Sequence, residues 1–204
     1  MTFGRDCSSL RLDRLLPATW RLANRWESLW RGVCIRGLII LCGGRCGPGL
    51  RVAKGIHFKQ PPHQGYRIGA RVHFGRHITL DIGPEADLVL DDDVRFTGLN
   101  VLAAVQGITV GRDSIFGEGT CLRDADHGLS GDRPYRNQPM NAAAIRVENN
   151  VWVGRMVSIL KGTTIRAHAV VAAHAVVRGE VEDRTLVGGL PARRIRHLDE
   201  SRDR

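Results

Sequence analysis

The chain has 204 residues and a formal net charge of +9, with 43% hydrophobic but only 5% aromatic residues. That length allows one domain with a real core. The scarcity of aromatic residues excludes a bulky globular interior and argues against a basic, aromatic-studded nucleic-acid reader. The 24 glycines predict many tight corners.

The first 54 residues contain ten Arg or Lys against three acidic residues, so they carry +7 of the +9. Phosphates, an anionic membrane or nucleic acid are the partners such a charge would attract. Over residues 8–31, Leu12, Leu15, Leu16, Trp20, Leu22, Trp26, Leu29 and Trp30 interleave with arginines. Pro17 divides this stretch, which predicts two short helices. Such an arm would cap the open first coil of a repeat array, or lie peripherally on an anionic membrane. "VCIRGLIILCGG" is too short to span a bilayer and contains Arg36. An uninterrupted apolar segment of the length a secretory signal needs is not seen at the start. The five cysteines are odd in number and lack paired spacing. Reduced thiols in a cytoplasmic protein are expected. Cys42 and Cys46 would need further ligands to hold a metal.

From Ile68 onward the chain steps by six. Ile68, Phe74 and Leu80 form one block; Leu90, Phe96 and Leu102 another; Val110, Phe116 and Leu122 a third. Val147, Val153, Ile159, Ile165, Val171 and Val177 then run without a break, and a small or β-branched residue follows four places after each of the first five. Six is neither the helical nor the strand period. It fits a chain that turns a corner every six residues, so that three short strands make a triangular coil. Stacked coils would carry their aliphatic residues inward as ladders. The step slips at 80–90, at 102–110 and at 122–147. The second slip suggests a small insertion over 103–109, and the third a loop over 123–146 that leaves the coil. The expected organisation is a helical, basic arm at 1–50, an all-β parallel solenoid at 51–183, and a tail at 184–204.

In this frame "DADHGLSGDRP", "IRVENNVWVG", "VVAAHAVVRG" and "VGGLPARRIR" occur in order. Together with the repeat they resemble the hexapeptide-repeat acyltransferases, in the branch that O-acetylates sugars of lipopolysaccharide and other surface polysaccharides. The resemblance implies a left-handed parallel β-helix, a homotrimer, and acetyl-CoA as co-substrate with no metal. It implies direct transfer of the acetyl group to a sugar hydroxyl of a glycan or its precursor. His127 would be the general base: a neutral imidazole takes the hydroxyl proton as the thioester is attacked. Asp124 or Asp126 would orient its ring, or cap the turn that opens the loop. The coenzyme would lie between subunits along the C-terminal coils, against Trp152, Gly154, Arg155, Ala172, Ala173 and Arg178. Arg193 and Arg196 would face its phosphates. Asn100 would contact the acceptor or serve as a corner residue. "GLPA", Glu148, Arg166 and Ala172 depart from the family's usual corner residues. N-acetylation of an amino-sugar nucleotide and an inactive β-helix scaffold are the competing readings. A γ-class carbonic anhydrase-type metal site would need three converging histidines. His57, His63, His73, His77, His168 and His174 do not assemble into one by spacing.

Overall fold

The structure, a computed structural model, describes residues 9–131 and 133–198, with side chains from Arg25 onward. One helix, Ser9–Leu41, leads into a parallel β-solenoid. The first side stacks seven strands, from Arg45–Cys46 to Glu180–Val181. The second side runs from Arg51–Val52 to Thr185–Gly189, and an antiparallel strand, Ala192–His197, closes it. The third side stacks six strands, from His57–Phe58 to Val176–Val177.

The hexad ladder is the core. Leu90, Val110, Val147 and Ile165 are in register on the first side, and Leu80, Leu102, Leu122, Ile159 and Val177 on the third. All are almost fully buried. On the second side Phe74, Phe96 and Phe116 stack with ring centroids 5.7 and 4.7 Å apart. Each two-residue strand turns one side chain in and one out, so a single inward residue per side suffices. The small polar inward residues bond to the coil beneath. Ser114 Oγ donates to the Glu148 carbonyl at 3.0 Å and Thr120 Oγ1 to the Gly154 carbonyl at 3.0 Å.

The corners explain how non-glycine residues can stand where such coils favour glycine. Arg71, Asp93, Asp113, Asn150 and His168 on the edge between the first and second sides all have φ between 53° and 62°. His77, Leu99, Met156 and His174 do the same on the edge between the second and third sides. A left-handed residue with a Cβ costs about 1–2 kcal/mol, least for Asn and Asp. Leu99 has φ 54° and is 60% exposed. Leu99→Asn is therefore expected to raise stability by about 0.5–1 kcal/mol, read as a higher denaturant midpoint with an unchanged slope.

Three expectations need correction. The arm is one helix, not two: Pro17 forgoes one backbone hydrogen bond but does not end Ser9–Leu41. Its C-terminal part docks on the first coil. Ile39 is 1% exposed in the core, Ile35 packs against it, and Arg36 Nε donates to the Cys46 carbonyl at 3.0 Å. A Cβ at Gly32 would collide with the Leu50 carbonyl, so glycine permits the close approach. The helix thus caps the solenoid, which starts at Arg45 rather than Arg51. Among the described residues no helix is long and apolar enough to cross a membrane. Finally, the slip at 102–110 is not an insertion loop. Val101–Ala104 and Gly107–Val110 are longer strands that pair in register with Thr79–Ile82 and Asp87–Leu90, leaving only two residues to turn between them. Ile82, Ala104, Leu88 and Ile108 supply the extra buried positions.

Candidate active site

The long interruption leaves the solenoid after the third-side strand Cys121–Arg123. It does not leave as a bare loop. Ala125–His127 pairs antiparallel with Met140–Ala142, with His127 opposite Met140. The segment beyond is knitted by the buried Gln138, whose Oε1 accepts from the Ser130 amide at 2.9 Å while Nε2 donates to the Arg133 carbonyl at 2.9 Å. Gly128 N donates to the Pro139 carbonyl at 2.9 Å, closing the stem directly after His127. The imidazole is exposed at this stem's end. Among the described residues it has no hydrogen-bond partner, so both ring nitrogens are open to a reactant.

The two aspartates have different jobs. Asp124 is fully buried. Its carboxylate accepts the Val105 amide at 2.8 Å, the Gln106 amide at 2.8 Å and the Gly107 amide at 2.6 Å. It caps the tight turn between two long strands, and these three bonds hold its carboxylate on that turn. Asp126 forms an ion pair with Lys161 at 3.3 Å, and Lys161 Nζ also donates to the Asn141 carbonyl at 3.2 Å. Neighbours in a strand point to opposite faces, so Asp126 faces away from the His127 ring and clamps the stem to the next coil. Asn100 is likewise inward and 0% exposed. Its Oδ1 accepts from Gly98 N at 3.0 Å and its Nδ2 donates to the Gly117 carbonyl at 2.7 Å. As a corner residue with both amide ends spent, it offers nothing to an acceptor.

His127 shares a strand face with Ala125 and, across the stem, with Met140. Both line a cavity of about 150 Å³ together with Gln60, Asp81, Val105 and Arg123. Asp81 is paired with Lys59 at 2.9 Å on its wall. These residues come from four successive coils and the hairpin. Spacing alone could not assemble them, because the register slips at 80–90 and 102–110 had to be resolved first. Arg123, in the "RDADH" run, is the one that proximity to His127 could have flagged. At Cys121, in the strand that feeds the stem, burial pushes the thiol above the ordinary value, outweighing the nearby Arg123, and so disfavours the thiolate.

The residues expected at the coenzyme divide into groups. Trp152 is outward on the second side, 56% exposed, between Ile115 and Val170. Gly154, Arg155, Ala172 and Ala173 stack on the edge between the second and third sides. A Cβ on Gly154 would meet the Ala173 amide nitrogen at 2.7 Å, so the corner requires glycine. Arg178 lies instead beyond Val176–Val177, on the edge between the third and first sides, below Lys161 and the hairpin. It lines a cavity of about 510 Å³ with Glu180, Glu182, Arg193 and Arg194 at the solenoid's C-terminal end. Arg193 and Arg196 are exposed on the closing strand, opposite Gly188 and Leu186. Within one chain, therefore, His127 and the Trp152–Arg155 corner occupy different edges of the prism. Among the described residues no group of three His, Cys, Asp or Glu side chains comes together as a metal site.

No protein-family model matches the chain. Among curated proteins it is 27% identical over 144 residues to WbbJ of Escherichia coli (strain K12), named as a lipopolysaccharide biosynthesis O-acetyl transferase. That match covers 64% of this chain and 74% of WbbJ. It is 29% identical over 144 residues to the galactoside O-acetyltransferase of Lactococcus lactis, covering 71% of this chain and 61% of the relative. Among solved structures it superposes with a TM-score of 0.59 and 31% identity on the hexapeptide-repeat acetyltransferase VCA0836 of Vibrio cholerae, complexed with acetyl coenzyme A. That superposition covers 67% of this chain and 72% of VCA0836. With its coils, its interrupting hairpin and this likeness over most of both chains, the protein belongs to the hexapeptide-repeat acyltransferases.

Proposed function

We propose that the protein transfers an acetyl group from acetyl coenzyme A directly to a sugar hydroxyl of a surface glycan or its precursor, with His127 as general base. The observation that carries the reading is the open imidazole at the end of the braced stem of the hairpin that interrupts the coils. In the step proposed, His127 takes the hydroxyl proton as the sugar oxygen attacks the thioester carbonyl carbon. The carbon–sulfur bond then breaks, the imidazolium returns its proton to the leaving sulfur, and free coenzyme thiol and the acetyl ester result. Asp126 and Lys161 hold the stem in place for this chemistry, while Asp124 fixes the turn beside it. The choice of a sugar hydroxyl is supported by the names of WbbJ and the galactoside O-acetyltransferase.

The coenzyme edge is proposed at Trp152, Gly154, Arg155, Ala172 and Ala173, with Arg178, Arg193 and Arg196 available to its phosphates. Because His127 is on another edge of the same prism, the reading requires a second copy of the chain to bring the two together, as in a cyclic homotrimer. This can be checked by mixing. His127→Ala and Ala173→Trp should each be nearly inactive alone. Assembled together at equal amounts, about one quarter of the shared sites hold both intact halves, so about a quarter of the parent rate should return. A mixture that stays as inactive as its components would overturn the shared site. Release of free thiol from acetyl coenzyme A with galactoside acceptors is the readout, and mapping the product's acetyl group tests oxygen against nitrogen.

A further inference from the structure

Along the second side the outward residues change character from coil to coil. Arg51, His73 and Arg95 stand in register in three consecutive strands. Beyond Arg95 the same file continues as Ile115, Trp152 and Val170. The basic part is roofed by the N-terminal helix: Leu29 helps close a cavity of about 220 Å³ over the three basic side chains.

Three cationic or cation-capable groups stacked this way repel one another, and among the described residues no carboxylate neutralises them. Among the described residues neither the Arg51 nor the Arg95 side chain has a hydrogen bond or a carboxylate partner. Asp93 is the acidic residue of the lining, and Arg71 already occupies its carboxylate at 2.8 and 2.6 Å. The helix contributes uncharged Leu29, while its Glu27 is engaged by Arg31. His73 records the uncompensated charge. Burial first, then Arg95 and Arg51, hold its imidazole below the ordinary value.

We propose that this groove binds a phosphoryl oxyanion, a phosphate or pyrophosphate ester. Successive strands are ~4.8 Å apart, so Arg51 and Arg95 stand on either side of His73 and all three line one cavity. A carboxylate is satisfied by one arginine fork, whereas a tetrahedral multi-oxygen anion uses donors from several directions. The cavity has room for one or two phosphoryl groups but not for a nucleotide base as well. The site is on the second side under the helix, away from the hairpin, and does not depend on acetyl transfer. The anion can arrive on a soluble ester or on a lipid headgroup. Trp26 and Trp30 on the helix, 66% and 67% exposed, are side chains that suit the interface of the second source.

The test is a titration of the whole protein with inorganic pyrophosphate at constant ionic strength, followed by calorimetry and by the His73 ring resonance. Pyrophosphate should bind and raise the His73 titration midpoint, because the anion favours the imidazolium. Arg51→Gln combined with Arg95→Gln should weaken binding at least tenfold. Arg45→Gln, an exposed arginine on the first side, should leave it unchanged. A His73 resonance that pyrophosphate moves no further than chloride does would overturn the proposal. So would equal loss of binding in the Arg45 control, since it would mark diffuse charge. Phosphatidylcholine vesicles with and without phosphatidylglycerol then distinguish the source. If anionic vesicles displace pyrophosphate from the parent but bind the double variant weakly, the groove takes headgroups. If they leave pyrophosphate in place, it takes a soluble ester.

Discussion

His127→Ala is expected to lower the acetyl-transfer rate by about 10²–10⁴-fold while leaving the folded protein almost untouched. The contrast follows from how little holds the ring. It is exposed, it has no hydrogen-bond partner among the described residues, and the backbone pairing of the stem with Met140 survives any side chain. Replacing such a residue shifts stability by no more than ~0.5 kcal/mol. A general base acts as the proton leaves, so kcat should fall with the KM for acetyl coenzyme A little changed. Steady-state kinetics with acetyl coenzyme A and galactoside acceptors decides the matter. A variant within a few-fold of the parent would remove His127 from the chemistry and leave the hairpin as an acceptor-positioning element.

How much of this was legible in the sequence depends on the range of each contact. The inward ladder repeats a chemical type at fixed spacing, so Val147 to Val177 announced the solenoid by itself. The slips were visible too, but not their meaning. Whether residues 103–109 bulge out or lengthen two strands is decided by partners some twenty residues away. Asp124 is the clearest case. Its neighbours in sequence suggested an acid beside a catalytic histidine, yet its carboxylate is spent on amides 17 to 19 residues earlier. Pro17 misled in the opposite direction: a local rule about helix interiors was overridden by a helix whose other end is anchored by Ile35 and Ile39. The left-handed corners at Arg71, Leu99 and Met156 carry no compositional mark, because the coil imposes them on whichever residue falls there. The file of Arg51, His73 and Arg95 was hidden for a related reason. Its members are 22 residues apart, four more than an eighteen-residue coil, because the first of those coils carries a longer turn over 59–65 and the second the lengthened strands Thr79–Ile82 and Asp87–Leu90.

Asp124→Ala should do the reverse of His127→Ala and act on the fold first. Three amides now end on one buried carboxylate, and the chain itself offers them no other acceptor at that turn. Losing charge-assisted hydrogen bonds worth about 1.5–3 kcal/mol each is partly offset by no longer burying the charge. A net loss of about 3–5 kcal/mol remains, or roughly a 10 °C fall in the melting midpoint for a chain of this size. Asp124→Asn restores an oxygen but turns an NH2 group toward amide donors, so it should recover only part of the loss. The damage should also be local before it is global. Asp124 fixes the 105–107 turn through its side chain, and through its backbone it accepts from Ala143 N at 2.8 Å and donates to the Ala103 carbonyl at 3.2 Å. Freeing that turn loosens the root of the hairpin, while the Val147–Val177 ladder is untouched. Hydrogen exchange should therefore quicken over 103–107 and 124–143 at temperatures where the C-terminal coils stay protected. Activity should fall through misplacement of His127 in step with the loosened hairpin, whereas His127→Ala lowers activity with the fold intact. If Asp124→Ala melts within a degree or two of the parent, the three amides have another acceptor and the carboxylate is free for the role in orienting His127 that its buried position otherwise denies it.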